Sequence, residues 1–232
     1  MQTTQLRRHR YANERIVVLC SFGLATGLCV ALELFRERHY GAYDFRFLLW
    51  NLFLAWIPLL IALTVYDAYR RGARLTVLAP GAVLWLLFLP NAPYIGTDFI
   101  HLAPLGPPLW FDGVVISAFA WTGVLLGFVS LYLMHAIVRH RFGAPVGWAA
   151  AVATLGLTSV GVYLGRFLQW NSWDLLVRPG SRLAEIAPRL GEPTVVAHAF
   201  GVTLLLTMLL ATTYLAFYAL VGLRADPDRS VR

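Results

Sequence analysis

The chain has 232 residues, 59% of them hydrophobic and only 13% charged, with a mean hydropathy of +0.65 and a formal net charge of +7. A soluble domain averages about 45–50% apolar and about 25% charged residues, so this composition excludes an ordinary water-soluble globule and points to a membrane protein. All 19 basic residues are arginine and they flank apolar runs, as topology signals do. No Walker loop, dinucleotide fingerprint, zinc-finger spacing or RNA-binding signature accompanies them, so no nucleic-acid partner is expected.

In chain order, Arg7, Arg8, His9 and Arg10 precede a first apolar run at about 14–35. The run is long for a signal peptide, ends at Glu33, Arg36 and Glu37, and lacks an A-x-A site, which predicts an uncleaved first span behind a cytoplasmic arm, 1–13. Cys20 and Cys29 lie in this span about 13 Å apart along a helix, too far for a disulfide, and read as small packing residues. Five further runs follow at about 45–66, 75–93, 112–138, 146–168 and 194–222. The third is the shortest, and its Pro80-Gly81 predicts a kink. The fourth and sixth are long enough to tilt or to extend beyond the hydrocarbon. Since about 20 apolar residues cross a core of about 30 Å, the expected fold is all-α: a polytopic bundle of about six transmembrane helices in a single domain, 14–222, with a disordered tail at 223–232.

Arginine counts orient the bundle. With the N-terminus in the cytoplasm, twelve arginines fall on the inner side and seven on the outer, and none lies between 75 and 138. The positive-inside rule then predicts both chain ends in the cytoplasm, although Arg166, Arg178, Arg182 and Arg189 gather in one outer loop. Asp67 and His135 read as interfacial anchors at inner helix ends.

On the outer side, polar residues collect in two places. The stretch FLPNAPYIGTDFIHL, 88–102, ends the third span at Asn91, Pro93 and Tyr94 and adds Asp98 and His101. Pro93 stops a helix, and Asn91 can bond freed carbonyls. Asp98 and His101 share a face if they lie on one helical turn, a pairing suited to proton transfer or to a divalent metal. The simpler alternative is a Thr97 or Asp98 cap with a surface histidine. Asp112, in WFD behind Trp110, starts the fourth span and either caps it or faces Asp98. The second place is GRFLQWNSWDLL, 165–176, with Arg166, Trp170, Asn171, Trp173 and Asp174. Arg166 suits an anionic group, the tryptophans an interfacial belt, and Asn171 with Asp174 a capping box. His198, just inside the sixth span, and Asn51, in the outer half of the second, lie at a similar depth.

The strings LFLPNAPYIGTDFIHL, WFD and GRFLQWNSWD resemble an uncharacterised family of bacterial polytopic membrane proteins, domain of unknown function 1361, over roughly 45–222. The resemblance implies a multi-pass protein of the bacterial inner membrane and brings no activity or assigned residues.

The residues themselves suggest an outward-facing polar site for an amphipathic or lipid-linked ligand arriving from the bilayer. In an enzyme acting on a lipid or lipid-linked substrate, Asp98, His101, Asp112 and Asp174 would be catalytic. The same four with His198 would ligate a divalent metal ion. Asn91, Tyr94, Trp110, Arg166, Trp170, Asn171 and Trp173 would bind substrate. The alternative is a non-enzymatic binder, transporter or accessory subunit whose polar cluster orients helices or ligand.

Overall fold

A computed structural model describes residues 2–40, 45–102, 109–170, 192–223 and the single position 180, with side chains throughout these except at 2–12 and 101. Among the described residues there is no strand. The helices are α1 (Gln2–Tyr40), α2 (Arg46–Arg70), α3 (Leu75–Phe88), α4 (Asn91–Tyr94), a 3-10 helix (Ile95–Leu102), α5 (Leu109–Phe142), α6 (Ala144–Leu168) and α7 (Pro193–Gly222). Among the described residues, six segments are long and apolar enough to cross a membrane: Asn13–Tyr40, Arg46–Arg70, Leu75–Ile100, Leu109–Phe142, Ala144–Leu168 and Pro193–Gly222. The protein is therefore a multi-pass, all-helical membrane protein of the expected class. The segment expected as an N-terminal arm is helical from Gln2, and the tail 224–232 lies outside the described residues.

Helix ends follow local chemistry. Arg70 sits in the last turn of α2, and Gly72 (φ 83°) turns the chain, its N–H donating to the Tyr69 carbonyl. Arg139, His140 and Arg141 close α5 before Gly143 (φ 91°), and Pro145 opens α6 in its first turn. Gln169 takes the left-handed conformation (φ 54°) behind α6, and the Trp170 N–H reaches back to the Leu164 carbonyl.

The third span breaks where its sequence was not expected to break. Pro80 lies inside α3, which runs on to Phe88. The interruption is at Leu89–Pro90, because Pro90 has no N–H to continue the ladder. Pro93 sits within the single turn of α4, where no intrahelical donor is needed.

The chain forms two compact units. The first comprises Met1–Trp56 and Asn91–Leu126, with Leu48, Ala55, Ala92, Ile95, Val115, Ile116 and Phe119 wholly buried. The second comprises Ile57–Pro90 and Gly127–Arg232, packed on Leu59, Ala62, Trp85, Leu131, Leu155, Val162 and Tyr214. Helices surrounded by lipid gain no water-exclusion energy by meeting, so close backbone approach and interhelical hydrogen bonds hold them. In the first unit a Cβ at Gly123 would lie 2.5 Å from the Ala92 carbonyl oxygen, and the Trp56 indole donates to Thr26 Oγ1 at 3.0 Å. In the second, a Cβ at Gly161 would lie 2.5 Å from Pro90 Cγ, and the Trp85 indole donates to Ser130 Oγ at 3.2 Å.

Candidate functional site

Among the described residues, the first unit buries four charged side chains: Glu33 and Asp98 at 1% exposure, Arg36 and Asp112 at 2%. Glu33 and Arg36 are three residues apart on α1 and share a face. Asp112 stands in the first turn of α5, where the positive end of the helix dipole favours a carboxylate. It meets Arg36 in a two-point pair, Nε to Oδ1 at 2.6 Å and Nη2 to Oδ2 at 3.1 Å. The guanidinium also lies over the Phe45 ring, 3.8 Å from its centre. Phe111, beside Asp112, packs on Phe35 and Tyr40 of α1 at 5.5 and 5.7 Å between ring centres. One face of Arg36 is thus aromatic, and its edge is a carboxylate.

Asp98 is placed by the broken span. Three residues per turn bring positions 92, 95 and 98 into one row, and Ala92, Ile95 and Asp98 are all buried. Position 101 falls in the same row of the backbone; the His101 side chain lies outside the described ones. Asp98 Oδ2 accepts from Asn51 Nδ2 at 3.1 Å, which ties the 3-10 helix to α2. The Thr97 hydroxyl donates to the Tyr94 carbonyl at 2.6 Å. Asp98 is therefore a buried acceptor rather than a solvent-facing cap. Asn91 and Tyr94 are half-buried in this unit, whereas Trp110, expected at the substrate, is 71% exposed, with its ring 5.7 Å from that of Phe111.

The remaining expected residues belong to the second unit. Arg166 is half-buried in the last turn of α6, and Trp170 is buried just beyond it. His198 is exposed in the second turn of α7, with its ring 5.2 Å from Phe167 and 6.0 Å from Tyr163 of α6. Asn171, Trp173 and Asp174 lie outside the described residues. Of the proposed metal ligands, Asp112 is engaged by Arg36. Among the described residues, no group of three or more His, Cys, Asp or Glu side chains is gathered to hold a metal ion.

Two features escaped the sequence reading. Glu33 and Arg36 were read only as charges ending an apolar run, although their spacing of three is a face signal. His135, read as an interfacial anchor beside Arg139, is buried in the second unit with its Nδ1 3.0 Å from Tyr214 Oη.

No curated protein and no solved structure matches the chain. The strings around Asp98, Asp112 and Arg166 all fall within residues 50–213, whereas Glu33 and Arg36 precede that stretch. Residues 50–213 match the family described as protein of unknown function (DUF1361), and the chain belongs to that family.

Proposed function

We propose that the buried polar set of the first unit is a site at the outer face of a bacterial inner membrane, in a chain with both ends in the cytoplasm. The site receives the head of a lipid or lipid-linked molecule and performs acid–base chemistry on it. One observation carries the reading: Glu33, Arg36, Asp98 and Asp112 are all buried in a chain whose surroundings are lipid. Ionisable groups at such positions are costly, and they mark binding sites and proton relays. Among the described residues the set holds three carboxyl groups and one guanidinium. Asp98, held by Asn51, is the proposed acid–base group, and Arg36 orients Asp112 beside the entrance of α5.

The Arg36–Asp112 pair also favours a second reading, in which the set is a latch between helices of a non-enzymatic binder or accessory subunit. Mass spectrometry of lipids retained by protein purified in its native membrane separates the two. The site reading expects one head-group-bearing lipid per chain, lost in Asp98→Asn at an unchanged thermal midpoint. Identical lipids in wild type and Asp98→Asn, with a lowered midpoint only in Asp112→Asn, would leave the latch alone standing.

A further inference from the structure

The second unit carries unbalanced positive charge at the end where α2 and α5 finish. The chain leaves α2 as Tyr69-Arg70-Arg71-Gly72-Ala73-Arg74 and closes α5 with Arg139-His140-Arg141-Phe142. The two endings meet: Tyr69 Oη lies 2.6 Å from His140 Nδ1, and the rings stand edge to face with 5.9 Å between centres. The next helices, α3 and α6, start from these endings at Leu75 and Ala144, with no acidic residue in either first turn. Asp67, one turn before Arg70 and Arg71, is the one acidic residue within 60–80 and 130–150.

Three of the arginines have no countercharge. Arg71, Arg74 and Arg141 are exposed, and among the described residues none of them is in an ion pair. The Arg141 guanidinium lies 6.0 Å from the centre of the Phe142 ring. Arg139 is engaged elsewhere, donating to the Tyr218 hydroxyl of α7. Each unpaired guanidinium offers five N–H donors in a planar fork, which matches two oxygens of one phosphate. The positions beside them are apolar and exposed: Leu75 follows Arg74, Phe142 follows Arg141, and Val77 and Val146 lie a few residues on. A free anion would use the arginines alone, whereas an amphipathic anion uses the arginines for its head and the apolar positions for its chains.

We infer that this end of the second unit binds the head group of an anionic phospholipid, with its phosphate shared by Arg71, Arg74 and Arg141 around the Tyr69–His140 contact. Basic clusters at the ends of membrane helices select anionic heads in this way. A topology signal, which is how these arginines read in the sequence, needs no particular lipid. The inference is independent of the acid–base reading of the first unit, and it holds whichever face of the membrane this end occupies.

Native mass spectrometry of the full-length protein in detergent tests it, with dioleoyl phosphatidylglycerol as the probe. The probe is expected to outcompete dioleoyl phosphatidylcholine and to stay bound in an equal concentration of inorganic phosphate. Arg71→Gln, Arg74→Gln and Arg141→Gln are each expected to weaken retention about fivefold, the worth of one basic residue at an anionic surface. Arg38→Gln, which removes an exposed arginine at the end of α1, and Asp98→Asn are expected to leave retention unchanged. Equal retention of the two lipids, displacement by inorganic phosphate, or losses in the three Gln variants no greater than in Arg38→Gln would each overturn the assignment. If the Gln variants do not fold, the head-group and phosphate comparisons on wild type decide.

Discussion

Arg36 and Asp112, 76 positions apart, close a two-point ion pair with both side chains buried. Removing one partner strands the other charge away from water, which costs about 3–5 kcal/mol, whereas replacing both with apolar groups of similar size is often neutral. Arg36→Met and Asp112→Leu should each be strongly destabilising, and the double variant should be closer to wild type than either. Denaturant titration in lipid–detergent micelles measures this, and simple addition of the two losses would show that the charges do not depend on one another.

The Asn51–Asp98 bond should behave differently, because it joins an amide to a carboxyl group. Interhelical hydrogen bonds in membrane proteins couple by about 0.6 kcal/mol on average and about 1.7 at most. A double-mutant cycle with Asn51→Leu and Asp98→Ala should return a coupling in that range. A value near zero would mean that the 3-10 helix is not tied to α2 through this contact.

Gly123→Ala should be costly. Its new methyl group would meet the Ala92 carbonyl oxygen at 2.5 Å, and backbone cannot swing aside as a flexible side chain can; overpacking of this kind costs about 1–3 kcal/mol. Gly156→Ala, in the open and helical, should be neutral or stabilising by up to about 1 kcal/mol. Thermal midpoints of the two variants, measured side by side, should move in opposite directions or differ plainly in size.

Orientation is checked by cysteine labelling in a Cys20→Ala/Cys29→Ala background. A thiol placed at His39 should react with an impermeant maleimide in intact cells, and one placed at Arg71 only after lysis. The reverse pattern would invert the bundle and put the Arg36–Asp112 pair at the cytoplasmic side.

The six spans were legible because a run of about 20 apolar residues is a sufficient signal for crossing lipid. Their ends were less so: α1 extends to Tyr40 and α5 begins at Leu109, since charged and aromatic residues at the interface continue a helix without raising hydropathy. Pro93 reads as the helix stop although the chain breaks at Pro90, because which proline ends a helix depends on which carbonyls it would have to face. Within the site, the burial of Asp98 was not legible, since its row-mates Ala92 and Ile95 carry no polar signal. Arg36 was hidden, since an arginine ending an apolar run looks like a topology signal and its partner is 76 positions away. His135 was misplaced for a similar reason: its nearness to Arg139 in sequence suggested headgroups, while Tyr214, 79 positions on, draws it inside.

The contact between Gly123 and Ala92 has a mechanical consequence. With the α4 backbone packed against α5 there, α4 has no room to move closer to α5. Asp98, six residues beyond Ala92, is therefore set from a fixed point on the helix that bears Asp112. On the proposed reading, a head group would meet those two carboxyl groups already set rather than draw them together on arrival.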